Sequence, residues 1–236
     1  MPRGSAALGI VADLWRYPVK SFGGERLRRA FVGPFGLLGD RRYTVADAEG
    51  VMTARRAPTL LDFRASYADT EAAEHATVIT PDGDVLGIDD ETLLARLAEA
   101  LPAATSFAKS PLGFFDAAAL HILGEPSIAA LACEVGDELD RRRFRANVLV
   151  EPSGGTAFEE DTWIGRRLML GEALVEVVVN TERCAVTTFD PDTLERDPRV
   201  LKALATTRDN LFGVYARVLR PGWIATGDSI FPAPDG

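Results

Sequence analysis

The sequence predicts an α+β protein that is mostly β and barrel-like. Numerous short runs of β-branched and aromatic residues are separated by Gly, Pro, Asn and Asp turns, whereas helical periodicity is confined to a few short stretches. No internal repeat or low-complexity tract breaks this pattern.

Leu8 to Trp15 alternates as a first strand, and Tyr17-Pro18-Val19-Lys20-Ser21 leaves it because Pro18 cannot donate to a sheet ladder. Lys20 and Ser21 therefore fall on a loop. Gly23-Gly24 precedes a strand over Arg26 to Val32, which Gly33-Pro34 ends. Tyr43 to Ala46 and Val51 to Thr53 flank a hairpin connection with Gly50 at its positive-φ position. Arg41 lies at the mouth of that hairpin, where a surface salt bridge with Asp40 or Asp47 would be a sufficient reason for its presence. Phe63 to Tyr67, Thr77 to Thr80 and Val85 to Ile88 follow as strands.

Asp90 to Leu101 is the clearest helix, with Asp90 as cap, Leu93, Leu94, Leu97, Ala98 and Leu101 as its apolar stripe, and Pro102 as its stop. The proline-containing stretch Pro102 to Pro111 places a domain boundary near Lys109, dividing the chain into 1–108 and 109–236. Leu120 to Leu123 is a short strand in which His121 reads as a satisfied structural histidine. A helix from Pro126 to just before Gly136 carries Cys133, read as a small buried core residue. Arginines at 141, 142, 143 and 145 introduce the strand Val148 to Val150; packed together they would repel, so most must face solvent, acids or an anion. Arg167 to Leu170 and Ala173 to Val179 pair across Gly171-Glu172. Asp197-Pro198 opens a third helix through Ala205, and Leu211 to Leu219 and Trp223 to Ala225 are late strands.

With 35 acidic and 26 basic residues the formal net charge is -9, which argues against charge-driven binding to nucleic acid or an anionic membrane. The longest apolar runs are too short to cross a bilayer, and Met1 to Ala12 lacks the pattern of a signal peptide, so the expected location is cytoplasmic. Two cysteines form no disulfide framework, and two histidines without HExxH or paired CxxC spacing leave no protein-ligated zinc site. Dinucleotide, Walker and GxSxG motifs are absent.

Chemistry is expected at Thr181 to Thr193, where the strongly strand-like Ala173 to Val179 delivers Arg183 and Cys184 onto a loop. A free thiol has a pKa of about 8.5, and the neighbouring guanidinium favours the thiolate, which is both a nucleophile and a soft-metal ligand. A cysteine hydrolase would need an activating histidine, and neither His75 nor His121 is suitably placed in sequence. A thiolate on a metal carried by an anionic organic cofactor fits better, because Lys20, Arg41, Arg145 and Arg183 could hold the anion. A plain cysteine nucleophile stays open on these grounds.

The motifs YPVKS at Tyr17 to Ser21, DRRYTV at Asp40 to Val45, TARR at Thr53 to Arg56, FRANVLV at Phe144 to Val150 and RCAVTTFDPDT at Arg183 to Thr193 resemble the MOSC family. LFGVY at Leu211 to Tyr215 and Gly227-Asp228 continue the likeness, which spans Leu14 to Ile230 in family order. The resemblance implies a MOSC β-barrel with a smaller, interlocked N-terminal mixed β domain. It implies a molybdenum cofactor (molybdopterin) with Cys184 as the molybdenum ligand. Lys20, Ser21, Arg41, Arg145, Asn147, Arg183 and Tyr215 would contact the pterin or its phosphate. The implied reaction is two-electron reduction of an N-oxygenated small molecule. With no cysteine set for an iron–sulfur cluster in this chain, electrons would come from a separate electron-donor protein. The alternatives are a molybdenum-cofactor carrier or sulfur-transfer module, and a cofactor-free enzyme with Cys184 as nucleophile. Glu182 is the dissonant residue, since a carboxylate beside an anionic cofactor costs energy unless it turns outward.

Overall fold

A computed structural model describes residues 6–69, 71–101 and 105–233. Its central feature is a closed barrel of seven strands. Strand Gly9–Arg16 pairs antiparallel with Val148–Pro152 on one side and with Ser229–Pro232 on the other. Between those two, the circuit runs through Leu120–Gly124, Leu211–Arg220, Ala173–Glu182 and Arg167–Leu170. All neighbours are antiparallel except Leu120–Gly124 with Val148–Pro152, which helix Glu125–Val135 connects as a crossover. Alternate residues of these strands, among them Val11, Val150, Val175, Val177, Val214 and Ile230, fill the interior.

The first strand thus joins two regions of the sequence, because it closes a barrel whose other six strands lie beyond residue 119. Between it and that point the chain builds two small sheets and helix Glu91–Ala100 around a second core containing Phe22, Val45, Leu60, Phe63, Leu93 and Leu97, while a third small sheet, Arg29–Gly33 with Gly36–Leu37 and the late strand Gly222–Ala225, packs on the barrel core. A third core, with Leu131, Phe144, Leu204 and Phe212, seats helices Glu125–Val135 and Pro198–Arg208 on the outside of the barrel.

Three expectations need correction. The strand read over Arg26 to Val32 is two strands, Glu25–Leu27 paired with the barrel and Arg29–Gly33 paired with Gly222–Ala225. Inward positions change from odd (Leu27) to even (Ala30, Val32) across Arg28, and a one-residue change of parity cannot occur within one regular strand. Cys133 is exposed, because its helix buries the face containing Ile128, Leu131 and Val135 and turns residue 133 outward. The third helix runs on to Arg208, where Asp209 and Asn210 take left-handed conformations at φ +51° and +60°. Asp90 does cap helix Glu91–Ala100, accepting a 2.8 Å bond from the Thr92 N–H. The proposed stop at Pro102 lies outside the described residues. No helix among the described residues is long and apolar enough to cross a membrane.

A buried ion pair joins the end of the first barrel strand to its paired strand Glu25–Leu27, and both partners reach on to the N-terminal sheets through Leu38 and Tyr67. Arg16, 1% exposed in its side chain, bonds Glu25 Oε1 at 2.9 Å through Nε and the Leu38 carbonyl at 2.9 Å. Its guanidinium lies 4.6 Å over the Tyr67 ring, and Glu25 also accepts from the Tyr67 N–H. Removing one partner of a buried pair strands the other charge. Glu25→Ala is expected to lower stability by about 3 kcal/mol in urea unfolding. A loss below roughly 1 kcal/mol, the range of a surface bridge, would contradict this account.

Candidate functional site

The loops that leave the barrel and the N-terminal sheets are pinned to one another by backbone bonds. Lys20 N donates to Tyr43 O at 2.8 Å, Tyr43 N to Pro18 O at 3.0 Å and Arg41 N to Tyr17 O at 2.7 Å. Ser21, Arg41 and Arg145 all adopt positive φ (+71°, +49° and +53°). Left-handed backbone is uncommon for such residues, and three instances around one cavity indicate a site whose surroundings hold them there. The Ser21 hydroxyl accepts from the Ala54 N–H at 2.9 Å, which fixes its direction.

The cysteine loop is held from both ends. Strand Ala173–Glu182 carries a bulge between Asn180 and Glu182, and Arg183 N then donates to Asn210 O at 2.7 Å. Cys184, half-buried and unpaired with another cysteine, stands at the start of the short 3-10 turn Ala185–Thr188, and its carbonyl accepts from Thr187 N and Oγ1 at 3.1 and 2.9 Å. The loop beyond is clamped by the arginine run: Arg143 binds Thr188 O and Asp190, and Arg142 binds Asp192. Arg141 pairs with Glu125. Those three arginines therefore find their acids inside the chain, and two of them position the segment after Cys184.

These loops enclose a cavity of about 530 Å³. Cys184 lines it, together with Lys20, Ser21, Arg41, Arg145, Arg183 and Tyr215. Asn147 does not. It sits behind the wall, where its Oδ1 accepts from Arg41 Nη1 and the His121 N–H, both at 3.3 Å, and its Nδ2 donates to Trp15 O at 3.2 Å. Asn147 positions Arg41 rather than facing the cavity. Arg41 also pairs with buried Asp40 and donates to Arg145 O at 3.2 Å. Burial opposes its charge, but Asp40 and the neighbouring tyrosines outweigh that and raise its pKa.

The other two buried guanidiniums lack a carboxylate partner. Arg145 is pushed down to about 10 by burial and by Arg41, with its Nη1 on Phe22 O at 2.6 Å and its plane 4.2 Å over Tyr17. Arg183 is lowered by burial too, and donates to Phe144 O at 2.7 Å. Both remain cations at neutral pH, and each keeps one buried nitrogen donor without a partner, Arg145 Nη2 and Arg183 Nε. Lys20 is lowered by burial and held by Phe114 O at 2.9 Å and Asp116 Oδ1 at 2.7 Å. Unmet donors beside a half-buried thiol are what an extended anion with a soft metal would complete. No cluster of His, Cys, Asp and Glu able to hold a metal alone occurs among the described residues. A metal at Cys184 must therefore bring other ligands with it.

Among the cavity residues given no site role from sequence are His121, Asp116 and Arg55. His121, 3% exposed, has a buried Nε2 with no hydrogen-bond partner, contrary to the expectation of a satisfied histidine. Burial, then Arg183 and Arg41, lower its pKa well below the ordinary value, so the ring is neutral. A polar residue in a strand whose five positions are all buried was the available signal. Asp116 comes from a loop whose sequence gives no cue, whereas Arg55 lies within the TARR motif, which was given no site role. Glu182 lines the cavity but is exposed, so the carboxylate has the outward freedom its position requires.

Family comparisons agree with this geometry. A model for the MOSC domain matches residues 109–231, and one for the MOSC N-terminal beta barrel domain matches residues 8–108. The chain belongs to the MOSC family. Among its MOSC relatives, mitochondrial amidoxime reducing component 2 of Rattus norvegicus is 26% identical over 97% of this chain and 84% of its own length. Molybdenum cofactor sulfurase of Caenorhabditis briggsae is 25% identical over 89% of this chain but only 34% of its own length. The crystal structure of the YUAD protein from Bacillus subtilis superposes with a TM-score of 0.53 over 94% of this chain and 93% of that one, at 15% identity, a likeness of fold.

The neutral, buried His121 gives a pH signature. Its folded pKa is depressed, so below about pH 6.5 the unfolded chain takes up a proton that the folded chain refuses, and stability falls as pH falls. Between pH 6.5 and 5 the wild type should lose up to about 1.4 kcal/mol per pH unit more than His121→Gln. Parallel pH profiles for the two proteins would show that His121 titrates normally.

Proposed function

We propose that this MOSC protein is a molybdenum-cofactor-dependent oxidoreductase that reduces N-oxygenated small molecules, with Cys184 as the protein ligand to molybdenum. The observation that carries the proposal is the pairing of a half-buried thiol with two buried, carboxylate-free guanidiniums that each retain an unmet donor nitrogen in one cavity. The amidoxime reducing component and molybdenum cofactor sulfurase relatives support the cofactor class, and the former supports the reaction class.

Lys20, Arg41 and Arg145 supply the charge and forked donors suited to the cofactor's phosphate, with the Ser21 hydroxyl beside them. Arg183 and Tyr215 lie toward the thiol, and Tyr215 stays protonated because burial raises its pKa, so its hydroxyl can donate. Asn147 serves the same group indirectly, by orienting Arg41. The bound cofactor would supply two-electron redox chemistry. The protein's part is to fix the anion, to hold the backbone of Cys184 through the Thr187 bonds to its carbonyl, and to leave the side at exposed Glu182 open to substrate. Electrons are assigned to a separate donor protein and the substrate to a small molecule, with neither nucleic acid nor membrane as partner. The acidic composition and two unbridged cysteines support a reducing, cytoplasmic setting. The family matches support domains at 1–108 and 109–236, interlocked through strand Gly9–Arg16.

The test is molybdenum and pterin analysis of protein made in a cofactor-competent host, with turnover of an amidoxime or hydroxylamine under a chemical reductant. Wild type should contain both and turn over. Cys184→Ala should fold normally and lose at least about 100-fold in turnover. Molybdenum-free wild type, or undiminished Cys184→Ala, would refute the assignment. Cofactor content without any turnover would favour the carrier or sulfur-transfer reading that the sulfurase relatives represent. A second variant isolates the anion contacts: Arg145→Ala should purify with much reduced pterin, and unchanged pterin would remove Arg145 from the cofactor site.

A further inference from the structure

On the far side of Arg145 lies a second cavity, of about 190 Å³, which shares only Arg145 and Val186 with the first. One part of its wall is aromatic, from Trp15, Tyr17 and Phe189. Another part is cationic, from Arg26, Arg64, Arg142, Arg143 and Arg145, and no carboxylate lines it. The acids that neutralise three of these arginines lie outside the lining: Asp13 for Arg26, Asp140 and Asp192 for Arg142, and Asp190 for Arg143. Arg64 and Arg145 form no ion pair among the described residues, although Arg64 is near enough to Asp192 to help lower its pKa.

Two buried guanidinium nitrogens of residues in this wall, Arg143 Nε and Arg145 Nη2, have no hydrogen-bond partner, the second being the Arg145 nitrogen already described beside the first cavity. The Arg143 side chain is only 9% exposed, so bulk water does not readily serve it. The lining also includes bare backbone at Gly23 and Gly24. A Cβ on Gly24 would stand 2.3 Å from Arg16 O and 2.6 Å from the Tyr17 ring, and one on Gly23 would stand 2.7 Å from Arg64 Cγ. A larger residue at either position would force these neighbours to shift.

We propose that this second cavity binds a small aromatic or heteroaromatic acid, with its carboxylate against Arg64 and Arg145 and its ring against the aromatic wall. The combination is chemically selective. Guanidinium forks favour a planar oxyanion, and the faces of Trp15, Tyr17 and Phe189 favour a flat apolar body. Because Arg145 is common to both cavities, the ligand would also draw on a cation that the first cavity offers to its own anion, so occupancy of the two sites should be antagonistic.

The proposal is tested by titrating the purified full chain, in whatever cofactor state it is isolated, with benzoate, following tryptophan fluorescence and heat. Saturable binding is expected. Acetate, which lacks the ring, and benzyl alcohol, which lacks the charge, should each bind at least about tenfold more weakly. Arg64→Ala, at an exposed position outside the first cavity, should weaken benzoate about tenfold or more, while Lys20→Ala, on the first cavity alone, should leave it unchanged. Absence of saturable binding would overturn the proposal. So would sensitivity to Lys20→Ala with indifference to Arg64→Ala, which would place benzoate in the first cavity. Both readouts are benzoate binding rather than turnover or metal content, and bound cofactor would weaken benzoate through Arg145 without removing its dependence on Arg64, so failure of this site and failure of the cofactor assignment remain distinguishable.

Discussion

Three guanidiniums packed around one cavity, Arg41, Arg145 and Arg183, set the terms for the rest of the molecule. Buried like charges repel and lose hydration, so the fold can hold them only by enclosing compensating groups or by leaving room for an anion. It does both. Asp40 is built in beside Arg41, and Asn147 and the carbonyls of Phe22, Phe144 and Arg145 absorb individual N–H groups. What remains unmet is one buried donor nitrogen on each of Arg145 and Arg183. Compensation that stops short of completion is the expected state of a site whose ligand carries the remaining charge.

The barrel explains how those groups are brought together. Closing the circuit with strand Gly9–Arg16 carries Tyr17 to Ser21 to the same rim as Arg145, Arg183 and Tyr215. The bonds of Arg16 to Leu38 O and of the Tyr67 N–H to Glu25 then tie that rim to the N-terminal region, whose loops contribute Arg41 and the Ala54 N–H that holds Ser21. Acids outside the cavity complete the arrangement: Asp190 and Asp192 anchor the loop after Cys184 to Arg143 and Arg142. The net negative charge of the chain and its cationic pocket are therefore compatible, because several of the acids act as struts behind the cations.

Much of the fold was legible in the sequence because barrel strands bury one face. Val11, Val175, Val177 and Val214 sit where alternation requires, and Asp90 and Gly50 announce a cap and a turn by local chemistry. The break at Arg28 was not legible as a break, since both flanking runs are individually good strands and only the change of inward parity separates them. Lys20, Arg41, Arg145, Arg183 and Cys184 could be grouped by motif, but Asn147 shows the limit of that method. The motif marks it as belonging to the site, whereas its position behind Arg41 follows from hydrogen bonds that only the folded chain defines. The same holds for Arg142 and Arg143, whose partners are about 50 residues distant in sequence.

The central claim is that the half-buried sulfur of Cys184 is a metal ligand rather than a nucleophile. Molybdenum-edge X-ray absorption on wild type and Cys184→Ser addresses that bond directly. The account predicts molybdenum in the wild type with a protein sulfur in its coordination shell, and loss of that sulfur in the variant. An identical sulfur shell in both proteins would contradict it.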